Sequence, residues 1–286
     1  MVFPLDIHIG SLIIPIHLVL DILAFAVAII FYLRLKSKVK DPISLENRLD
    51  LIVGAALGAL VGSRLLASLV DMPYTMSNLS LMVIFSQDTI VGGIIGGIIG
   101  VEIAKKIKSI KIPTGDIYVF PLILGIMIGR IGCFLTGVSD RTVGLPCSLP
   151  WCFNQGDGIP RHPTSLYEIL FLGLLWIFLY QLNKGFPWQA TGNLSSVFAR
   201  TSCPQAATPL LASRNKRMAL ESGVLFRFFV IAYSIFRLFV DFIKPRETLF
   251  IGLSYIQIGC LIAIIFFSIQ LMIWQGKGEK LIVSRL

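Results

Sequence analysis

PLILGIMIGRIGCF, residues 121–134, sets an apolar run against an arginine. A charged side chain inside a membrane-spanning helix costs about 2.5–3.5 kcal/mol on insertion scales, so Arg130 needs a partner or a ligand. The rest of the chain repeats the apolar half of this pattern. Of its 286 residues, 55% are hydrophobic and 14% charged. A soluble domain carries about 25% charged residues. Windows of about 20 residues predict seven apolar spans. They cover approximately 11–33, 50–70, 88–104, 117–137, 165–182, 223–243 and 250–274. The predicted fold is an all-α integral membrane protein, a seven-transmembrane-helix bundle with an outer-side loop region, forming one polytopic domain over residues 1–286.

The net charge of +9 reads as topology. Lys and Arg gather at 34–48, 105–111, 184–217 and 277–285, on alternate connections. The opposite connections hold Arg141, Arg161, Lys244 and Arg246. The positive-inside rule then puts the N-terminus outside and the C-terminus in the cytoplasm, in keeping with an odd number of spans. Basic charge arranged this way is not a nucleic-acid footprint. The first span has no positive region before it and is longer than a signal-peptide core, so it reads as a permanent helix.

Glycines four apart recur on three spans: Gly54, Gly58 and Gly62; Gly92, Gly96 and Gly100; Gly125 and Gly129. Small residues at that spacing let helix backbones approach closely in lipid, which predicts a tight central bundle of spans 2, 3 and 4. Two connections are long. Residues 138–164, rich in Gly and Pro with Trp151 and Phe153, form the predicted outer loop. Residues 183–222 form a cytoplasmic loop of low hydrophobicity, expected to be flexible. Cys147 and Cys152 lie in the outer loop and either form a small-loop disulfide or remain thiols. The cysteine spacings do not match a zinc motif.

The polar residues within the spans carry the functional reading. Glu102 sits three and four residues before Lys105 and Lys106, as in an interfacial ion pair. Arg227 lies near a span end and can snorkel. Arg130 and Arg237 lie in the outward halves of their spans, with Asp241 one turn after Arg237. A guanidinium stays charged and grips phosphate oxygens in a planar fork, so two of them suit a phospholipid headgroup. The other reading ties helices together through carboxylates. His17 and Asp21 share a face of span 1, either as a proton-handling pair or as a structural one. RHPTSLYE, residues 161–168, gathers His162, Ser165, Tyr167 and Glu168 at a helix start led by Pro163. His162 there is a general base, a phosphate donor or a cap.

GRIGCF from Gly129, RHPTSLYE from Arg161 and YSIFRLFVDF from Tyr233 together resemble the prolipoprotein diacylglyceryl transferases. GSRL at Gly62, VGGIIG at Val91 and SYIQIG at Ser254 fit in order, and the resemblance covers nearly everything outside 186–220. It implies a multi-pass enzyme of the bacterial inner membrane that acts in lipoprotein biosynthesis. The enzyme would move a diacylglyceryl group from phosphatidylglycerol to the lipobox cysteine of a prolipoprotein signal peptide. No metal and no cofactor are implied, and the partners are those two substrates and the lipid bilayer, not nucleic acid. Residue by residue, the resemblance makes Arg130 the phospholipid-binding arginine and Arg237 the essential arginine of the sixth helix. Asp241 stands where a Glu is usual. With His162 these give the expected catalytic set His162, Arg237 and Asp241, and the substrate contacts Arg130, Arg64, Tyr167 and Glu168.

Several signature positions depart from the family pattern. Cys133 replaces an Asn, Thr136 and Val138 replace an Asn and a Glu, and Val91 stands in place of a His. Val19 replaces a Tyr. The alternative to a transferase is therefore a catalytically altered or inactive lipid-binding member of the same family. A solute transporter fits less well, because the polar residues cluster toward one face and not at the midplane.

Overall fold

The computed structural model describes residues 3–10, 12–37, 43–70, 72–78, 88–140, 142–185, 223–245 and 252–283. Each predicted span falls on a helix. These are α1 (Ile16–Lys36), α2 (Leu45–Val70), α4 (Ile90–Ile107), α5 (Val119–Thr136), α6 (Thr164–Gly185), α7 (Val224–Val240) and α8 (Tyr255–Val283), with a short α3 (Met72–Ser77) after α2. Among the described residues, five helices (α1, α2, α5, α6 and α8) are long and apolar enough to cross a membrane. This is an all-α membrane protein, with two small hairpins besides among the described residues.

The first hairpin shortens the first predicted span. Residues 12–15 do not begin the helix: β1 (Asp6–Ile9) pairs antiparallel with β2 (Leu12–Pro15), and α1 starts at Ile16. Gly10 makes the reversal at φ +62°, a left-handed conformation that glycine adopts without steric cost. Pro15 has no N–H to offer and stands at the N-cap of α1.

The chain divides into two compact units, residues 1–42 with 113–229 and residues 43–112 with 230–286. In the second unit α2 and α4 lie antiparallel with their glycines in register. The Gly58 carbonyl faces Gly96, and the Gly62 carbonyl faces Gly92. A Cβ built on Gly96 would lie 2.8 Å from the Gly62 Cα, and one on Gly54 would lie 2.8 Å from the Gly100 carbonyl oxygen. The two backbones are in direct contact, which only this run of glycines permits. Thr89 caps α4, its hydroxyl accepting from the Gly92 N–H at 3.2 Å. At the far end of the helix Lys105 Nζ meets Glu102 Oε1 at 2.8 Å, the expected ion pair.

The third glycine stripe corrects the expectation of a central bundle built from spans 2, 3 and 4. On α5, Gly125 faces Ala28 and Ala24, Gly129 faces Asp21, and Gly132 faces Leu20 and His17. These contacts run antiparallel along α1, within the first unit. Glycine spacing shows that a helix has a close neighbour, but not which one. Helix α6 joins the same unit through Trp176, whose ring lies 4.9 Å from Phe120 and 5.7 Å from Phe31. The Asp116 carboxylate caps α7, accepting from the Phe226 N–H at 2.9 Å and the Gly223 N–H at 2.5 Å. Large apolar side chains on the helices are exposed, Phe25 on α1 at 72%, as suits a helix solvated by lipid tails.

The predicted outer loop is ordered by several devices. Cys147 and Cys152 form a disulfide, settling the alternative in its favour. Strands β3 (Phe153–Asn154) and β4 (Pro160–Arg161) pair, and Pro146 bridges to Arg161. Phe3, Phe134 and Phe153 form a ring cluster with centroids 5.8–6.0 Å apart, holding the N-terminal segment to the end of α5 and to the loop. Most of the predicted 183–222 loop lies outside the described residues.

The glycine register makes a selective prediction. Gly96→Ala should destabilise the protein by about 1–3 kcal/mol, the usual cost of forced overpacking. Gly93→Ala, whose new methyl would find its first neighbour at 3.8 Å, should leave stability unchanged. Thermal unfolding in detergent reads both, and equal shifts would refute the register.

Candidate functional site

Arg130 lies on the last turns of α5 and is 5% exposed. Its Nε stands 2.9 Å from Glu168 Oε2, and Glu168, on the second turn of α6, is fully buried. Two of the predicted substrate contacts are thus one ion pair joining two helices. Removing both charges from water costs several kcal/mol each, which close contact must offset. The helix-tying reading of Arg130 therefore holds in the structure. Nη1 of the same guanidinium donates to Cys133 Sγ at 3.4 Å.

Cys133 belongs to a second polar group on the same two turns. Its sulfur lies 3.5 Å from His17 Nε2, across the α1–α5 contact that Gly132 keeps close. The other ring nitrogen, Nδ1, lies 2.7 Å from Asp21 Oδ2. A carboxylate only accepts, so Nδ1 carries a proton, and Nε2 is the nitrogen turned toward the sulfur. Asp140, just past α5, brings its Oδ2 to 3.9 Å from the same Nε2. The His17–Asp21 pair was legible from its spacing. Cys133 stood out in the sequence only as a departure from a family pattern, and Asp140 not at all, since neither shares a local period with His17.

At the start of α6, His162 Nδ1 and the Tyr167 hydroxyl are 3.2 Å apart, two more of the predicted residues brought together. Thr164 anchors the turn, its hydroxyl donating to the Thr142 carbonyl at 2.6 Å. In the neighbouring loop Arg161 Nε and Nη2 each lie 2.7 Å from Asp157 Oδ2, holding that carboxyl below its ordinary pKa range.

Arg237, Asp241 and Arg64 lie in the second unit. Arg237 and Asp241 are both buried, at 5% and 3% exposure, and Arg64 is half-buried on α2. Asp241 Oδ2 accepts from Ser254 Oγ at 2.5 Å, and Ser254 and Gln257 cap the start of α8. The Gln257 amide in turn donates to the Leu238 carbonyl at 3.2 Å. Asp241 thus ties the end of α7 to the start of α8. Ser254 and Gln257 come from SYIQIG, a stretch whose individual roles the sequence did not reveal.

A family model described as prolipoprotein diacylglyceryl transferase matches residues 4–203. The chain belongs to that family. Among its relatives, the phosphatidylglycerol–prolipoprotein diacylglyceryl transferase of Polynucleobacter asymbioticus is 33% identical over 190 residues, covering 61% of this chain and 71% of the relative. The same-named protein of Polynucleobacter necessarius is 29% identical over 235 residues, covering 78% and 75%. The one from Finegoldia magna is 32% identical over 157 residues, covering 53% and 62%.

Breaking the central pair should be costly. Glu168→Ala leaves a buried guanidinium uncompensated and should cost about 3–5 kcal/mol, while Arg130→Met with Glu168→Ala should recover a large part of it. Denaturant titration in mixed micelles measures both. A Glu168→Ala shift no larger than that of the exposed control Glu46→Ala would refute the pairing.

Proposed function

We propose that this protein is a phosphatidylglycerol-dependent transferase that moves a diacylglyceryl group to the lipobox cysteine thiol of a prolipoprotein signal peptide. The observation that carries the reading is Arg130: a buried guanidinium on a lipid-compatible helix, inside the region matched by the family, with Nε fixed by Glu168. A guanidinium keeps its charge and matches phosphate oxygens in a planar fork, as recognition of a phosphodiester requires.

In the proposed reaction the thiol proton passes to His162, whose ring is held at Nδ1 by Tyr167 and takes the proton at Nε2. The thiolate sulfur forms a bond to the glyceryl carbon, and the carbon–oxygen bond to the phosphate breaks. The electron pair leaves with glycerol phosphate, and Arg130 stabilises the charge that develops there. Arg237, with Asp241 behind it on the same turn, is proposed to be essential to turnover, and Arg64 to contact the lipid. All seven long helices are proposed to span the bacterial inner membrane, with the N-terminus outside and the C-terminus in the cytoplasm.

A catalytically altered lipid-binding member is the second reading, favoured by how the signature positions are used. Val91 is a core residue at 4% exposure, and the Thr136 hydroxyl donates to the Gly132 carbonyl at 2.9 Å. Neither offers the polar group that the family usually has there.

Single-turnover conversion of labelled phosphatidylglycerol and a lipobox peptide by the purified protein separates the two. The transferase yields thioether-linked peptide and glycerol phosphate in equal amounts. Arg130→Lys should then lower the rate about a hundredfold, the loss typical of one preplaced donor. His162→Gln should lower it while headgroup binding persists. Lipid binding without product would establish the second reading, and a wild-type rate in Arg130→Lys would remove Arg130 from the chemistry.

A further inference from the structure

The group around Cys133 has a geometry that phosphate recognition does not use. His17 Nε2, Cys133 Sγ and an oxygen of Asp140 lie within 4.8 Å of one another. The sulfur–nitrogen separation is 3.5 Å and the nitrogen–oxygen separation 3.9 Å. A tetrahedral ion at about 2.3 Å from sulfur and about 2.0 Å from nitrogen and oxygen sets these separations at about 3.5 and about 3.3 Å. The first matches, and a small turn of the Asp140 carboxylate closes the second.

The outer contacts point the same way. His17 gives Nδ1 to Asp21 at 2.7 Å, which turns Nε2 inward as a ligand, the carboxylate–histidine arrangement found behind metal-bound imidazoles. The Thr142 N–H donates to Asp140 Oδ1 at 3.1 Å, which leaves Oδ2 as the atom aimed at the cluster. That Oδ2 is buried and has no hydrogen-bond partner among the described residues. Buried carboxylate oxygens are seldom left so. A thiolate and Asp140 supply two negative charges to a divalent ion, Asp21 adds a third through His17, and Arg130, which is paired with Glu168, also reaches Cys133 Sγ at 3.4 Å. His17 and Asp21 are more than one-third exposed, so an ion can reach the cluster.

We propose that His17, Cys133 and Asp140 form a binding site for a divalent transition-metal ion of the zinc class, with Asp21 and Thr142 as its orienting contacts. Sulfur and imidazole ligands select such an ion over Mg²⁺ or Ca²⁺, which take oxygen. Three protein ligands leave one tetrahedral position for an outside molecule. On binding, Cys133 Sγ loses its proton to solvent and bonds the metal, with no change of oxidation state. The site does not rest on the transfer reading: it stands whether or not the protein makes product.

Cobalt(II) tests it, because thiolate ligation gives an intense charge-transfer band. The full chain is purified in detergent under non-reducing conditions with a tag free of histidine. It is stripped with chelator and titrated with Co²⁺. Wild type should show the sulfur band saturating at one ion per chain, and Zn²⁺ should displace it. Cys133→Ser should abolish the band. Asp21→Asn, which leaves all three ligands, should keep the band while weakening affinity about 10–100-fold. Thermal transitions without metal establish that the variants are folded, and Asp140→Asn, beyond the end of α5, provides a second ligand variant with a lower affinity expected. No sulfur band in wild type, or the same band in Cys133→Ser, would overturn the site.

Discussion

The first unit is organised by the cost of putting charge where water is scarce. Arg130 and Glu168 are nearly inaccessible, and each is tolerable only because the other is present. The pair therefore dictates that α5 and α6 meet, and at which turn. Apolar contacts such as Trp176 on Phe120 bring the helices together, but in lipid they carry little information about register. The buried pair supplies it, at one point, with a large penalty for any slip.

The second unit reaches specificity by different means. Where α2 meets α4 the centre of the contact is glycine backbone against glycine backbone, and an ion pair, Lys108 to Asp50 at 2.7 Å, lies at one end. Direction comes from shape: the stripe Gly54–Gly58–Gly62 admits one antiparallel partner in one register. Further along the chain, Asp241, Ser254 and Gln257 pin the junction of α7 and α8 with hydrogen bonds that lipid cannot supply. One molecule thus uses charge pairing, close backbone packing and side-chain capping at separate junctions.

Membrane character and the helices at the apolar spans were legible because apolar length is a local property. So were the Glu102–Lys105 pair and the His17–Asp21 pair, each within one helical turn. Partnership was not local. The stripe on α5 carries the same glycine spacing as those on α2 and α4 yet packs on α1, since spacing encodes closeness without naming a neighbour. The α1 boundary was missed because residues 12–15 are apolar in either conformation, and they pair as a strand between Gly10 and the start of α1. The Cys133 group was invisible as a group because His17, Cys133 and Asp140 are joined only by folding. Of the candidate residues, the structure pairs Arg130 with Glu168 and His162 with Tyr167. It ties Asp241 to Ser254, a partner that sequence reasoning had not supplied.

The discontinuity of the first unit sets an order of events during synthesis. Helix α1 emerges from the ribosome well before α5, its packing partner, and must wait in the translocation machinery or the bilayer. His17 and Asp21 answer each other within α1 itself, so the helix can wait without exposing an unmatched polar group. Arg130 meets its carboxylate partner, Glu168, only when the next helix arrives. The Asp116 carboxylate waits longer than Arg130, because the amide of Gly223 that it caps lies 107 residues downstream. The early helices carry their own polar matches, and the last cap closes the unit only when α7 begins to emerge.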